Sequence, residues 1–310
     1  MSASKSAILL LAHGSPESTA DIPEFMRHVT GGRPVPDVVI HELTHRHLLV
    51  GKSPLTEITL RQAEALQSRL GLPVYVGMRN WKPFIPETVQ QMTDRGIEQV
   101  VAICLAPQNS STSVGLYRKT LLAALKPGTA MHFLESWHDH PLLIQAFAER
   151  LEPVWRQASS EIGEPVPVIF TAHSVPMRTI QAGDPYEKEA KETARLVGSK
   201  IAGLTPELQT FAFQSQGMSG GPWLGPTVES AMLEQKRRGH KGVVIAPIGF
   251  VCDHVDVLYD IDISFREFAK EQELRMWRPE SLNTSPTLIA ALAKLASTRM
   301  ALASGIVSLA

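Results

Sequence analysis

Two histidines in this chain of 310 residues each follow an apolar run: Ala7 to Ala12 leads into His13-Gly14-Ser15-Pro16, and Val168 to Ala172 leads into His173-Ser174-Val175-Pro176. An acidic run, Asp253-His254-Val255-Asp256-Val257-Leu258-Tyr259-Asp260-Ile261-Asp262, comes later. Read as a helix starting near Asp253, it sets Asp256 and Asp260 on one face, with Ser264 a turn beyond. Like charges at that spacing oppose helix formation by a few tenths of a kcal/mol, so the stripe invites a cation or a function. The plainer alternative is an acidic first turn that complements the helix dipole, with Asp253 as cap. An imidazole beside carboxylates can exchange protons or bind a borderline divalent metal such as iron(II). A lone His173 would more often be a hydrogen-bonded core residue.

Two shorter matches point to other chemistries. His41-Glu42-Leu43-Thr44-His45 fits H-E-x-x-H, in which two histidines on one helical face bind zinc and the glutamate activates water; Glu64 would supply a third ligand. The pattern fixes few positions and lies away from both histidine-terminated strands, so a solvated helix or loop is the plainer reading. Gly217-Met218-Ser219-Gly220-Gly221 fits the nucleophile elbow G-x-S-x-G. An elbow needs a helix directly after the serine, whereas Gly220, Gly221, Pro222, Gly225 and Pro226 prolong a loop. A ligand-contacting glycine loop is expected there instead.

The elements that must position these groups repeat. His13 and His173 stand 160 positions apart at equivalent strand ends. The strand at 75–79 leads to Pro83 and Val89 as the strand at 211–215 leads to Pro222 and Val228, each read as a helix opened by proline. Arg95-Gly96 precedes the apolar run 99–106, and Arg238-Gly239 precedes 242–248. Near-continuous apolar strands alternate with amphipathic helices at 58–70, 141–155 and 187–202, which implies parallel sheets covered on both faces. The fold class is α/β, with two similar Rossmann-like domains, 1–160 and 161–310, the second carrying a C-terminal helix. The boundary is expected at 158–167, where Ser, Gly, Glu and Pro interrupt the apolar pattern. Ligands of such sheets bind beyond the carboxyl ends of the strands, which predicts a common cleft of His13, 108–113, His173, 214–217 and 250–256.

Composition narrows the function further. The chain has room for two domains at roughly 150 residues each, and 30 basic groups nearly cancel 31 acidic ones. A net charge of −1 excludes whole-chain attraction to nucleic acid. Two distant cysteines, Cys104 and Cys252, are too few for a disulfide framework or a four-thiolate iron–sulfur cluster, and they fit a reducing cytoplasm. The apolar run at 7–12 is too short for a signal peptide. The tail from Leu288, broken by Lys294 and Arg299, reads as a helix packed on the body, with at most peripheral membrane contact.

Five segments together carry a resemblance: Thr171 to Pro176, Gly183-Asp184-Pro185-Tyr186, Gln214-Ser215, Gly221 to Pro226, and Gly249 to His254 followed by Leu258-Tyr259. On these, from Leu9 to about Leu295, the chain resembles the ferrochelatases, which insert iron(II) into a porphyrin in haem biosynthesis. The resemblance implies a chelatase-like fold of two related domains and His173 as the catalytic histidine, which binds the metal or takes pyrrole protons. It implies Asp256 as the partner of His173 at the metal, Asp260 on a metal-relay stripe, and His13 over the porphyrin face. Arg46, His47, Ser53 and Tyr117 match positions that contact the porphyrin edge and propionates. The implied substrates are ferrous iron and protoporphyrin IX or coproporphyrin III, with no permanently bound cofactor, and a monomer is expected.

The chain also departs from the family pattern. Asp256 stands where the family has glutamate, roughly 1.5 Å longer in reach, and about 1 Å of misplacement can cost on the order of a hundredfold in rate. Thr30 and Gly31 occupy positions of propionate-binding arginines, and Arg79-Asn80 replaces a Lys-His pair. Competing readings are a non-catalytic porphyrin- or haem-binding relative and a cobalt chelatase, since His13-Gly14-Ser15 is similar to the strand end of the smaller cobalt chelatases.

Overall fold

A computed structural model describes residues 5–217 and 220–303. They form two units whose sequences interleave: 5–106, 113–136 and 283–303 make the first, 107–112 and 137–282 the second, with 218–219 outside the described residues. The first unit runs β1 (Ser6–Ala12), α1 (Ile22–Val29), α2 (Asp37–Val50), α3 (Leu55–Leu70), β2 (Val74–Met78), α4 (Ile85–Asp94), β3 (Gln99–Cys104), α5 (Val114–Ala124) and β4 (Ala130–Leu134). The second runs α6 (Pro141–Ile162), β5 (Val168–His173), α7 (Met177–Gln181), α8 (Tyr186–Ser199), β6 (Gln209–Gln214), α9 (Val228–Arg237), β7 (Gly242–Pro247), a π-helix (Asp256–Phe265), α10 (Arg266–Glu271) and β8 (Arg275–Trp277). The chain then re-enters the first unit as α11 (Pro286–Ala303).

The expected duplication extends to the strand order. The first sheet is β2-β1-β3-β4 and the second β6-β5-β7-β8, every pair parallel. Each central strand is apolar along its length because helices cover both faces, which is why β1 and β7 read as continuous runs rather than alternating ones. Leu9, Leu11, Ala102 and Cys104 pack with α4 and α5 in the first unit. Ile169, Val243 and Ile245 pack with α9, the π-helix and α10 in the second. The π-helix and α10 therefore stand where α5 stands in the first copy.

Two expectations need correction. The stretch at 158–167 is no boundary: α6 ends on Gly163 at φ 88°, the left-handed turn that glycine permits, and passes to β5 inside one unit. Leu143, Phe147 and Leu151 of α6 are buried in that unit, and Trp155 Nε1 donates to the Val166 carbonyl at 2.8 Å. The crossings lie at 136/137 and 282/283, with a short excursion at 107–112. The C-terminal helix thus belongs to the first unit, where Leu288 and Leu292 are buried and Gln62 Nε2 donates to the Asn283 carbonyl at 2.6 Å.

The second correction concerns proline. The Met78 N–H donates to the Pro83 carbonyl at 2.7 Å and the Phe213 N–H to the Pro226 carbonyl at 2.8 Å, so Pro226, not Pro222, is the counterpart of Pro83. Of this pair of helices, α4 carries a proline, Pro86, in its first turn and α9 does not. Helix α9 is opened by Thr227, whose Oγ1 accepts from the Ser230 N–H at 3.2 Å. Among the described residues no helix is long and apolar enough to cross a membrane.

Candidate active site

In each sheet the strand order reverses beside the first strand of the copy, and the carboxyl ends flanking such a switch are where doubly wound sheets hold ligands. His173 ends β5 at this point. Its Nδ1 lies 2.5 Å from the Ser174 carbonyl, and a carbonyl only accepts, so Nδ1 carries the proton. The neutral ring then keeps its lone pair on Nε2, the form needed to take a proton or bind a metal. The Tyr186 hydroxyl donates to the His173 carbonyl at 2.9 Å, tying the strand end to α8. Gly249, after β7, has to be glycine: a Cβ there would lie 2.7 Å from the Ala172 Cβ, one residue before the histidine.

The acidic run supplies the facing groups, but not as an α-helix. Residues 256–265 form a π-helix, whose hydrogen bonds run from i to i+5, so that four positions still make close to one turn and Asp256 and Asp260 keep a common face. Its cap position is Val255, and Asp253 just ahead of it is held by other partners. Arg278 Nη1 lies 3.3 Å from Asp253 Oδ1, and its Nη2 and Nε donate to Asp262 at 2.6 and 2.7 Å. Ser281 Oγ donates to Asp253 Oδ1 at 2.8 Å. Asp253 and Asp262 are thus structural anchors. Asp260 is buried and accepts a hydrogen bond from Ser215 Oγ, and Ser215 takes the left-handed backbone at φ 60°.

Gln214 joins the strand ends to this helix. Its Oε1 accepts from Thr171 Oγ1 at 2.6 Å and its Nε2 donates toward the Asp256 carbonyl at 3.4 Å. His254 completes the cluster and was given no role by sequence reasoning. Its ring packs edge-on to Phe250 with centroids 4.6 Å apart, and its Nδ1 accepts from the Val257 N–H at 3.2 Å. Burial lowers its pKa, Asp256 opposes that fall, and nearby His173 adds to it. His254 is therefore held neutral, next to the two predicted groups. Its signal was present in the sequence, two positions before Asp256 in the same motif.

The first unit holds the remaining candidates. His13 is exposed, with Nδ1 3.0 Å from the Gly14 carbonyl and its ring edge-on to Phe25 at 5.8 Å, the same local hydrogen bond that His173 makes. Gly14 sits at φ 87°, and a Cβ on it would come 2.7 Å from the Trp81 backbone nitrogen. His47 is buried on α2: Nδ1 lies 2.8 Å from the Leu43 carbonyl, and Nε2 is buried without a partner. Arg46 Nε pairs with Glu42 at 2.8 Å. Ser53 is buried just before α3, and Tyr117 is buried on α5. Burial lowers the Arg79 pKa, opposed by the Tyr117 phenol.

The competing motifs lack their required context. His41 and His45 are exposed on α2, Glu42 is taken by Arg46, and among the described residues no group of three or more His, Cys, Asp or Glu is placed to hold a metal ion. Ser219 of the elbow pattern lies outside the described residues, and α9 begins only at Val228.

Two four-stranded parallel sheets, each with a histidine at its switch point, and an acidic helix tied to the strand end next to one of them form a fold of the chelatase type. The fold is similar to that of SirB from Bacillus subtilis, solved with Fe3+, at a TM-score of 0.59 over 97% of this chain and 98% of that one, with 11% identity. The model of the family described as Ferrochelatase matches residues 5–300. A ferrochelatase from Acidobacterium capsulatum is 54% identical over 306 residues, 94% of each chain. A coproporphyrin III ferrochelatase from Geobacillus sp. is 34% identical over 313 residues, 97% of this chain and 100% of the relative. The chain belongs to the ferrochelatase family.

Proposed function

We propose that this protein inserts ferrous iron into a free-base porphyrin, with His173 and Asp256 as the groups that meet the metal and the pyrrole protons. Metallation breaks two N–H bonds, releases two protons and forms four Fe–N bonds with iron still divalent, so the protein must accept protons and deliver a hydrated cation. The observation that carries this reading is the contact of His173 Nδ1 with the Ser174 carbonyl, which as an acceptor favours the proton on Nδ1 and leaves the Nε2 lone pair for the reaction. Asp256 draws iron(II) by charge and takes the second proton. Asp260, held by Ser215, serves as an inner stage of the metal path. Strain on the macrocycle, drawn from binding at its edge, makes the nitrogen lone pairs accessible.

His13 meets the ring face, and Arg46, His47, Ser53 and Tyr117 meet its edge and propionates. The buried Nε2 of His47 lacks a partner and, with Nδ1 facing the Leu43 carbonyl, is an acceptor position open to a donor at the porphyrin edge, such as a protonated propionate. Iron is substrate here, not cofactor. Burial pushes both thiols up, Cys252 to about 12, which supports a chain with no thiolate-held cluster. Neither cysteine is in a disulfide, in keeping with a cytoplasmic enzyme, and we read it as a monomer.

Anaerobic incubation of the purified protein with iron(II) and either protoporphyrin IX or coproporphyrin III tests the proposal. Metallation well above the solution rate is expected, and His173→Ala should lower kcat by about 10²–10⁴. A wild-type rate no higher than that of solution would overturn the function, and an unchanged His173→Ala would overturn the assignment of the base. The porphyrin turned over faster is the substrate.

A further inference from the structure

Asn80 is 1% exposed, and both ends of its carboxamide, Nδ2 and Oδ1, are buried without a hydrogen-bond partner. Buried amides normally have partners. The two other buried amides with an orphan atom, Gln62 and Gln235, each use Nε2, toward the Asn283 carbonyl at 2.6 Å and Thr210 Oγ1 at 3.0 Å, and leave only the oxygen over. Asn80 leaves a donor and an acceptor together. Its place is informative as well: it follows β2, and its backbone N–H donates to the His13 carbonyl at 3.0 Å, so it stands beside His13 at the switch end of the first sheet. Neighbouring strands run about 4.8 Å apart, which puts a ligand lying over His13 within reach of this residue.

We propose that Asn80 is a substrate-contacting residue whose carboxamide pairs, donor and acceptor together, with the inner nitrogens of the free-base porphyrin. This rests on the porphyrin reading above and adds a residue to it. A free-base ring alternates N–H donors with lone-pair acceptors at its centre, so it satisfies Nδ2 and Oδ1 at once. A propionate accepts only, and would leave Oδ1 orphaned. Metallation removes the N–H donors and ties up the nitrogen lone pairs, so this donor–acceptor pairing is made with substrate and lost with product. Both atoms are enclosed, so the pairing requires the ring to displace the groups around them.

The test is the affinity of wild type, Asn80→Ala and Asn80→Leu for a free-base porphyrin and for its zinc complex, read by tryptophan quenching. Both variants should weaken free-base binding by about tenfold, the loss of roughly 1.4 kcal/mol, while binding of the zinc complex stays within about twofold of wild type. A residue with a merely structural role would shift both ligands by one factor, and that result, or no shift in either, overturns the inference. If wild type metallates porphyrin and the ratio does not move, only Asn80 is wrong. Wild type that binds neither porphyrin overturns the functional reading with it.

Discussion

Burial lowers the His254 pKa, and this couples its protonation to folding. An unfolded imidazole titrates near about 6.5, and a folded value below that means folding expels a proton. The stability contributed is complete above about 6.5 and is lost as pH falls through the window beneath it. Urea midpoints measured between pH 7.5 and 5 should therefore fall for wild type and fall less for His254→Gln, which keeps an acceptor for the Val257 N–H. Equal slopes would refute the coupling. At this scale the place of His173 at a strand end and of Asp256 in a helix was legible because an apolar run ending on histidine and an acidic cluster are both local patterns. His254 was visible but mute, since its value comes from burial and from His173, which is distant in sequence. Tyr186 was equally hidden: nothing local says that its hydroxyl reaches the His173 carbonyl.

The π-helix shows what periodicity cannot resolve. Apolar and acidic spacing at 253–264 is compatible with hydrogen bonds to i+4 or i+5, and the wider turn emerges only with its tertiary anchors. One of these is Arg278, whose side chain is largely buried and bridges Asp253, ahead of the helix, to Asp262, within it. Removing a buried partner leaves carboxylates uncompensated, which costs about 3–5 kcal/mol when burial is complete. Because both carboxylates keep some exposure, Arg278→Met should destabilise by about 2–3 kcal/mol in urea titration. A change under about 0.5 kcal/mol would mean that the bridge contributes no more than a surface pair. Strands and helices elsewhere were readable because burial on both faces leaves continuous apolar runs, as in β1 and β7.

Two units were expected from length and repetition, and two exist, but their borders were misplaced because a Gly163 helix end resembles a linker in composition. Which helix packs on which sheet is a long-range fact. Leu288, Ile289, Leu292 and Ala296 of α11 are buried in the first unit, so a chain ending at Leu282 should lose that cover. Hydrogen exchange is expected to quicken in β1 and β3 while β5 and β7 stay protected. Uniform protection, or loss in the second unit first, would contradict the assignment of α11.

The interleaving also fixes an order of assembly. Synthesis runs from β1 onward, yet the first unit lacks its α11 until residues 283–303 have emerged, whereas every residue of the second has left the ribosome by then. The half that is begun first is finished last. A nascent chain exposed only as far as residue 282 would hold a complete second unit and a first unit still waiting for its closing helix.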